Sequence, residues 1–218
     1  MKLKFIFDRI LNRENICNLK EEQRRIKELI ENKQNIVLYA PRNFGKTSLI
    51  KTIIIPDFKK ENKKSFVFFV DLMGIRDLRG LRARMHRSLE IALQESFPVK
   101  NLIQNAKNFL KSIRPEASVI FEEGSIKFHM KSTSQNQYLE IEEVFRVFNN
   151  IAKEYPSLVV MDEFQDIAFV GEAEALFRNA FQNLHNCPII TLGSKQHILA
   201  EIFAKPNAAL ANFPQRLV

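Results

Sequence analysis

A lysine, a threonine and a pair of acids have the spacing that implies chemistry. In Ile36-Val37-Leu38-Tyr39-Ala40-Pro41-Arg42-Asn43-Phe44-Gly45-Lys46-Thr47-Ser48-Leu49-Ile50, an apolar run passes through a tight loop into a helical segment that begins Gly-Lys-Thr. Gly45 lets the backbone approach phosphate oxygens, and the new helix directs its unpaired N–H groups and positive dipole end at them. Lys46 is expected to reach the β- and γ-phosphates of a nucleoside triphosphate, and the Thr47 hydroxyl to hold Mg2+. Ala40 stands where the pattern as usually written opens with glycine.

A second chemical feature lies far along the chain. After Pro156, the apolar run Leu158-Val159-Val160-Met161 ends in Asp162-Glu163, followed by Phe164 and Gln165. Ligands of open α/β sheets bind outside the carboxyl ends of the strands, so these acids can face the phosphate loop. Asp162 is expected to orient the Mg2+ ion through its water shell, and Glu163 to polarise the water that attacks the γ-phosphate. A third run, Ile189-Ile190-Thr191-Leu192, ends in Gly193-Ser194-Lys195. Ser194 either touches the γ-phosphate or attacking water, or turns the chain and caps the next helix; one serine can do both.

The elements that must position these residues follow from periodicity. Ile16, Leu19, Ile26, Leu29 and Ile30 recur at helical spacing between Arg13 and Lys33, and Leu49, Ile50, Ile53 and Ile54 give the loop's helix an apolar face up to Pro56. A second strand, Phe66–Val70, ends at Asp71, and a helix follows with Leu78, Leu81, Met85, Leu89 and Leu93 inward. A helix is expected over Asn101–Ser112. The alternation of Val119, Phe121, Ile126, Phe128 and Met130 around Glu122-Glu123-Gly124 predicts a hairpin. Further helices carry Ile141, Val144, Phe145, Phe148, Ile151 and Ala152, then span about Glu174–His185, then carry Ile198, Leu199, Ile202 and Phe203. Strands alternating with helices predict a parallel sheet covered on both faces.

At 218 residues and 45% hydrophobic, the chain suits one domain over 1–218, with 99–137 as an inserted helix and hairpin. No apolar run approaches the ~18 residues of a membrane span, so no membrane is expected and the setting is expected to be cytoplasmic. Cys17 and Cys187 lack metal or disulfide spacing, and the four histidines are scattered. The net charge of +8 is uneven: residues 1–110 hold 23 Lys and Arg against 12 Asp and Glu, the rest 10 against 13. That basic half makes nucleic acid a possible partner, while the plain alternative puts Arg76, Arg79, Arg82, Arg84 and Arg87 on the solvated faces of an amphipathic helix. Oligomeric state leaves no mark in the sequence.

Taken together, the ordered features resemble the archaeal-type P-loop ATPases of the STAND class, relatives of AAA+ proteins, from about Phe7 to Arg216. The likeness rests on Asn12-Arg13-Glu14 with Leu19, the loop from Ala40 to Leu49, Asp162-Glu163-Phe164-Gln165 and Gly193-Ser194. It implies an α/β three-layer sandwich with a mainly parallel sheet of order 5-1-4-3-2, and ATP and Mg2+ as cofactors. By the same resemblance Asn12 and Arg13 lie near the adenine, Pro41, Arg42, Asn43, Phe44, Gly45, Lys46, Thr47 and Ser48 surround the phosphates, Glu163 is the catalytic base, and Ser194 fills a sensor position. Arg178 and Arg216 are candidates for an arginine finger. Members of the family continue into a helical lid and often a winged helix, so a C-terminal region or a protein partner is expected to cover the nucleotide beyond the short fifth strand approached at Phe213–Val218. The function expected is ATP binding with slow Mg-dependent hydrolysis to ADP and phosphate as a molecular switch. The alternatives are a nucleotide-dependent DNA- or RNA-binding module and an interaction scaffold without turnover. No Asn-Lys-x-Asp guanine motif occurs.

Overall fold

The computed structural model describes residues 10–16, 19–96, 117–122, 125–130, 136–184, 186–204, 210, 211, 213 and 215–217, with 117–122, 125–130 and 215–217 as backbone. In chain order the elements are α1 (Lys20–Glu31), β1 (Ile36–Tyr39), α2 (Lys46–Leu49), a π turn (Ile50–Ile54), α3 (Ile55–Glu61), β2 (Phe66–Asp71) and α4 (Leu78–Ser96). Then come β3 (Ala117–Glu122), β4 (Ser125–Met130), α5 (Gln137–Glu154), β5 (Ser157–Asp162), a 3-10 segment (Phe164–Phe169), α6 (Ala173–Asn183), β6 (Ile189–Gly193), α7 (Gln196–Phe203) and β7 (Gln215–Leu217).

Successive strand residues point to opposite faces, so apolar runs without polar alternation need a helical layer on each side. Val37, Phe66, Phe68, Val159, Met161 and Ile189 pack with α4, α5, α6 and α7. Ile36, Leu38, Val67, Leu158, Val160 and Ile190 pack with α1, α2, the π turn and α3. The sheet order is β2-β5-β6-β1-β7, every neighbour parallel. Numbered within the sheet and read from β7, that is 5-1-4-3-2, with a three-residue fifth strand beside Ile36–Leu38. The first layer is rich in aromatic contacts, with Phe148 5.6 Å from Phe66 and 5.8 Å from Phe68 between ring centroids.

The strands β3 and β4 form a separate antiparallel hairpin in register Ala117↔Met130 to Glu122↔Ser125, and β4 lies against α4. The helix expected over Asn101–Ser112 lies outside the described residues. Two helical boundaries differ from the expected ones. The first helix starts at Lys20, and Arg13–Asn15 form a separate 3-10 turn. Tertiary bonds hold that turn: Leu11 N–H donates to Ser48 Oγ at 3.0 Å, and Arg13 pairs with Asp57. The helix after the phosphate loop does not stop at Pro56 but continues to Glu61. Proline lacks an N–H and clashes with the carbonyl four residues earlier. The wide π turn over Ile50–Ile54 accommodates both defects, with Pro56 in the first turn of α3.

Candidate active site at the carboxyl end of the sheet

The phosphate-loop sequence leaves β1 at Tyr39 and re-enters helix at Lys46. Two residues in it adopt left-handed backbone, Asn43 at φ 66° and Gly45 at φ 80°. Gly45 holds the position before α2 at no steric cost, and a Cβ there would meet nothing within 4 Å, so its face of the loop is open. Pro41, Arg42, Asn43 and Phe44 are exposed around this opening, while Lys46 and Ser48 are buried.

Lys46 folds over its own loop, Nζ donating to the Ala40 carbonyl at 2.6 Å and the Pro41 carbonyl at 2.9 Å. Burial pushes its ammonium below the ordinary lysine range; the charges of Glu163 and Asp162 oppose that drop, and Arg42 adds to it. Thr47 Oγ1 donates to Asp162 Oδ2 at 2.7 Å, joining the loop helix to a strand end 115 positions away. Burial raises the Asp162 carboxyl above its usual range, the Thr47 and Glu163 N–H bonds hold it back, and the charges of Asp71 and Glu163 raise it further.

Glu163 follows β5 in left-handed backbone at φ 50°, ψ 43°. A non-glycine residue there costs about 1–3 kcal/mol and persists only where its surroundings fix it. Its N–H donates to Asp162 Oδ1 at 3.0 Å, and the next residue, Phe164, is wholly buried against Phe177, Phe181 and Phe203 at 5.3, 5.9 and 5.4 Å. Burying one such ring contributes about 1.5–3 kcal/mol, enough to offset the strain. The Glu163 carboxylate accepts hydrogen bonds from Ser194 Oγ at 2.9 Å and from Gln165 Nε2, both at Oε2. Ser194 is not the helix cap considered as its alternative role: Lys195 precedes α7, without a capping side-chain bond.

Lys46, Thr47, Asp162, Glu163 and Ser194 thus meet at the carboxyl end of the sheet. Other sequence-selected residues are engaged elsewhere. Arg13 forms a fork on Asp57 at 2.8 and 3.1 Å, which lifts the guanidinium above its ordinary range and lowers the Asp57 carboxyl. Asn12 accepts the Asn15 N–H through its backbone carbonyl at 2.9 Å, and the Ser48 hydroxyl accepts the Leu11 N–H. Arg178 is exposed on α6, and Arg216 lies in β7 opposite Val37.

Three residues of the site were given no role from the sequence. Asp71 ends β2 in direct register with Asp162, and an apolar strand closing on an acid is the same signal that marked Asp162. Arg84 donates to the carbonyls of Asp71 and Met73 at 2.9 and 3.0 Å, fixing the loop after β2; nothing in helical spacing separates it from its solvated neighbours. Gln165 is wholly buried, and its contacts exist only once β5 and β6 are adjacent.

The donors present fit a nucleotide and its metal. An open left-handed glycine before a helix accepts phosphate oxygens, and a hydroxyl paired with a carboxylate is a hard oxygen set of the kind Mg2+ prefers.

Comparison with known proteins follows the same lines. No curated protein matches the chain in sequence. Among solved structures, a Walker-type ATPase of Pyrococcus abyssi superposes at a TM-score of 0.54 with 23% identity, covering 97% of this chain and 55% of that one. The ORC2 protein of Aeropyrum pernix, solved as ADPNP and ADP complexes, gives 0.54 at 12% identity over 91% of this chain and 47% of its own. The ORC1 protein of the same organism, solved with DNA, gives 0.55 at 10% identity over 94% and 47%. The chain therefore spans about half the length of these proteins, and the likeness is one of fold. A family model described as the KAP family P-loop domain matches residues 19–186, from the start of α1 to the approach to β6, so the chain belongs to the KAP family of P-loop NTPase domains.

Proposed function

We propose that this domain binds Mg-ATP, hydrolyses its β–γ phosphoanhydride slowly, and acts as a switch of the STAND type. The observation that carries this reading is the 2.7 Å bond between Thr47 and Asp162, which brings the two halves of a metal-nucleotide site together. In this reading the N–H groups of Gly45, Lys46 and Thr47 receive the phosphates, and Lys46 exchanges the carbonyls of Ala40 and Pro41 for phosphate oxygens. Thr47 and Asp162 hold Mg2+, which when bound neutralises charge on the phosphates. Glu163 takes a proton from the attacking water as its oxygen bonds to the γ-phosphorus and the bond to the β-phosphate oxygen breaks. Ser194 exchanges Glu163 for a γ-phosphate oxygen, and this change alters the surface offered to a protein partner or C-terminal region. Asn12 and Arg13 border the adenine in this reading, their segment being tied to α2 by the Leu11–Ser48 bond and to α3 by the Arg13–Asp57 pair.

A second reading, a nucleotide-dependent DNA- or RNA-binding module, is favoured by the charge of residues 1–110 and by the DNA complex of the ORC1 relative. Two α4 arginines weaken it, since Arg82 is engaged by Glu140 at 2.8 Å and Arg84 by backbone carbonyls. Its signature would be ATP-dependent affinity that falls steeply with salt.

The deciding experiment compares phosphate release by the parent protein and Glu163→Gln. Loss of the base is expected to lower turnover by about 10²–10⁴-fold while Mg-ATP binding persists. Unchanged turnover would remove Glu163 from the catalytic role.

A further inference from the structure

We infer that Gln165 is the positioning residue that fixes the Glu163 carboxylate, and that position 193 is glycine because the Gln165 amide fills the space of a side chain there. The Gln165 amide bridges two groups of fixed polarity: Nε2 donates to Glu163 Oε2, and Oε1 accepts the Ser194 N–H at 3.2 Å. A carboxylate only accepts and a backbone N–H only donates, so one orientation of the amide satisfies both. The side chain is wholly buried, where an amide lacking either bond would bear a desolvation penalty. At Gly193 a Cβ would lie 2.4 Å from Gln165 Oε1 and 2.6 Å from Leu199 Cδ1, distances that would force the amide aside. Glycine there therefore serves close approach, not a turn.

The consequence rests on the functional reading above. With Gln165 and Ser194 both on Oε2, the carboxylate is held against rotation and Oε1 is presented to a water. When Ser194 turns to phosphate, Gln165 alone keeps the base aimed. Gln165 touches neither nucleotide nor water in this account; it acts through Glu163.

The test replaces Gln165 with Met, close in length and without a donor. We expect Gln165→Met to lower kcat by roughly 10- to 100-fold, as small misplacements of a reacting group do, with the Mg-ATP Kd within about threefold of the parent. In a Glu163→Gln background the same change is expected to cost nothing further, whereas a merely structural defect would lower both backgrounds alike. Gly193→Ala reaches the same amide from the opposite side and carries the kinetic test should Gln165→Met not fold. A readout independent of turnover is the side-chain NH2 pair of Gln165 in NMR: it should exchange slowly with solvent and shift in Glu163→Ala. An NH2 pair unmoved in Glu163→Ala, or a parent-like kcat in Gln165→Met, would overturn the inference. If the parent protein binds no Mg-ATP, the functional reading falls, while the NH2 resonance still decides the contact.

Discussion

The two ends of one sheet are built for opposite purposes. At the amino ends of the strands lies a cleft of about 460 Å3, bordered by Lys27, Phe58, Asn62, Lys153, Tyr155 and Pro188. Backbone groups there are closed by the chain itself: the Pro156 carbonyl accepts the Phe66 N–H at 2.9 Å, the Pro188 carbonyl accepts that of Val159 at 3.1 Å, and Asn35 Oδ1 accepts that of Ile189 at 3.0 Å. Left-handed backbone occurs at both ends, at Lys33 beside the cleft and at Asn43, Gly45 and Glu163 at the carboxyl ends, where a buried lysine also faces two acids. Neither volume nor backbone strain separates the two ends; the gathering of buried polar groups does.

The comparison breaks most visibly if chemistry fails to follow the carboxyl end. Asp162→Ala is expected to reduce ATP turnover by about 10²–10³-fold, the usual cost of losing one charge-stabilising group. Asn62→Ala and Lys153→Ala, at the amino-end cleft, are expected to leave it within about twofold, as substitutions away from the reacting groups do. Steady-state phosphate release on the three variants is the check, and equal losses at both ends would dissolve the contrast.

A second effect concerns how the carboxyl end is held. Phe164→Ala removes the ring that anchors the chain after Glu163, and should destabilise the fold by about 3–5 kcal/mol in urea unfolding. A loss under about 1 kcal/mol would mean that the left-handed Glu163 is held by something other than this packing.

The smallest effect sharpens the contrast at the closed end. Burial pushes the Cys187 thiol up to about 12, against a smaller opposing pull from Lys33. At pH 8 only about one thiol in 10⁴ is then ionised, so Cys187 should resist iodoacetamide in the native protein and react in denaturant. Mass spectrometry of its peptide distinguishes the two, and rapid native labelling would show that this end is open.

How far the molecule was legible in its sequence depended on whether the relevant signal was contiguous. The strands follow from apolar runs such as Phe66–Val70 and Leu158–Met161, because strands buried on both faces leave no polar alternation, whereas their order was implied only by the family resemblance. Lys46 and Thr47 could be singled out because they follow Gly45 where a strand and tight loop pass into a helix, and Asp162 and Glu163 because they close an apolar run. Pro56 misled, since a π turn that absorbs proline leaves no local mark. The pairing of Arg13 with Asp57 left no mark either, since it depends on a partner 44 positions away. Gln165 was visible as a letter after the acids, but its role needs the close approach at Gly193, which only strand adjacency creates.

The central claim is that the loop before α2 is a working nucleotide site. Calorimetric titration of Mg-ATP into the protein and into Lys46→Ala tests it most directly. The account predicts saturable binding with a Kd between about 1 μM and 1 mM, or −8 to −4 kcal/mol, lost in the variant. Binding that survives in Lys46→Ala, or no heat from either protein, would contradict it.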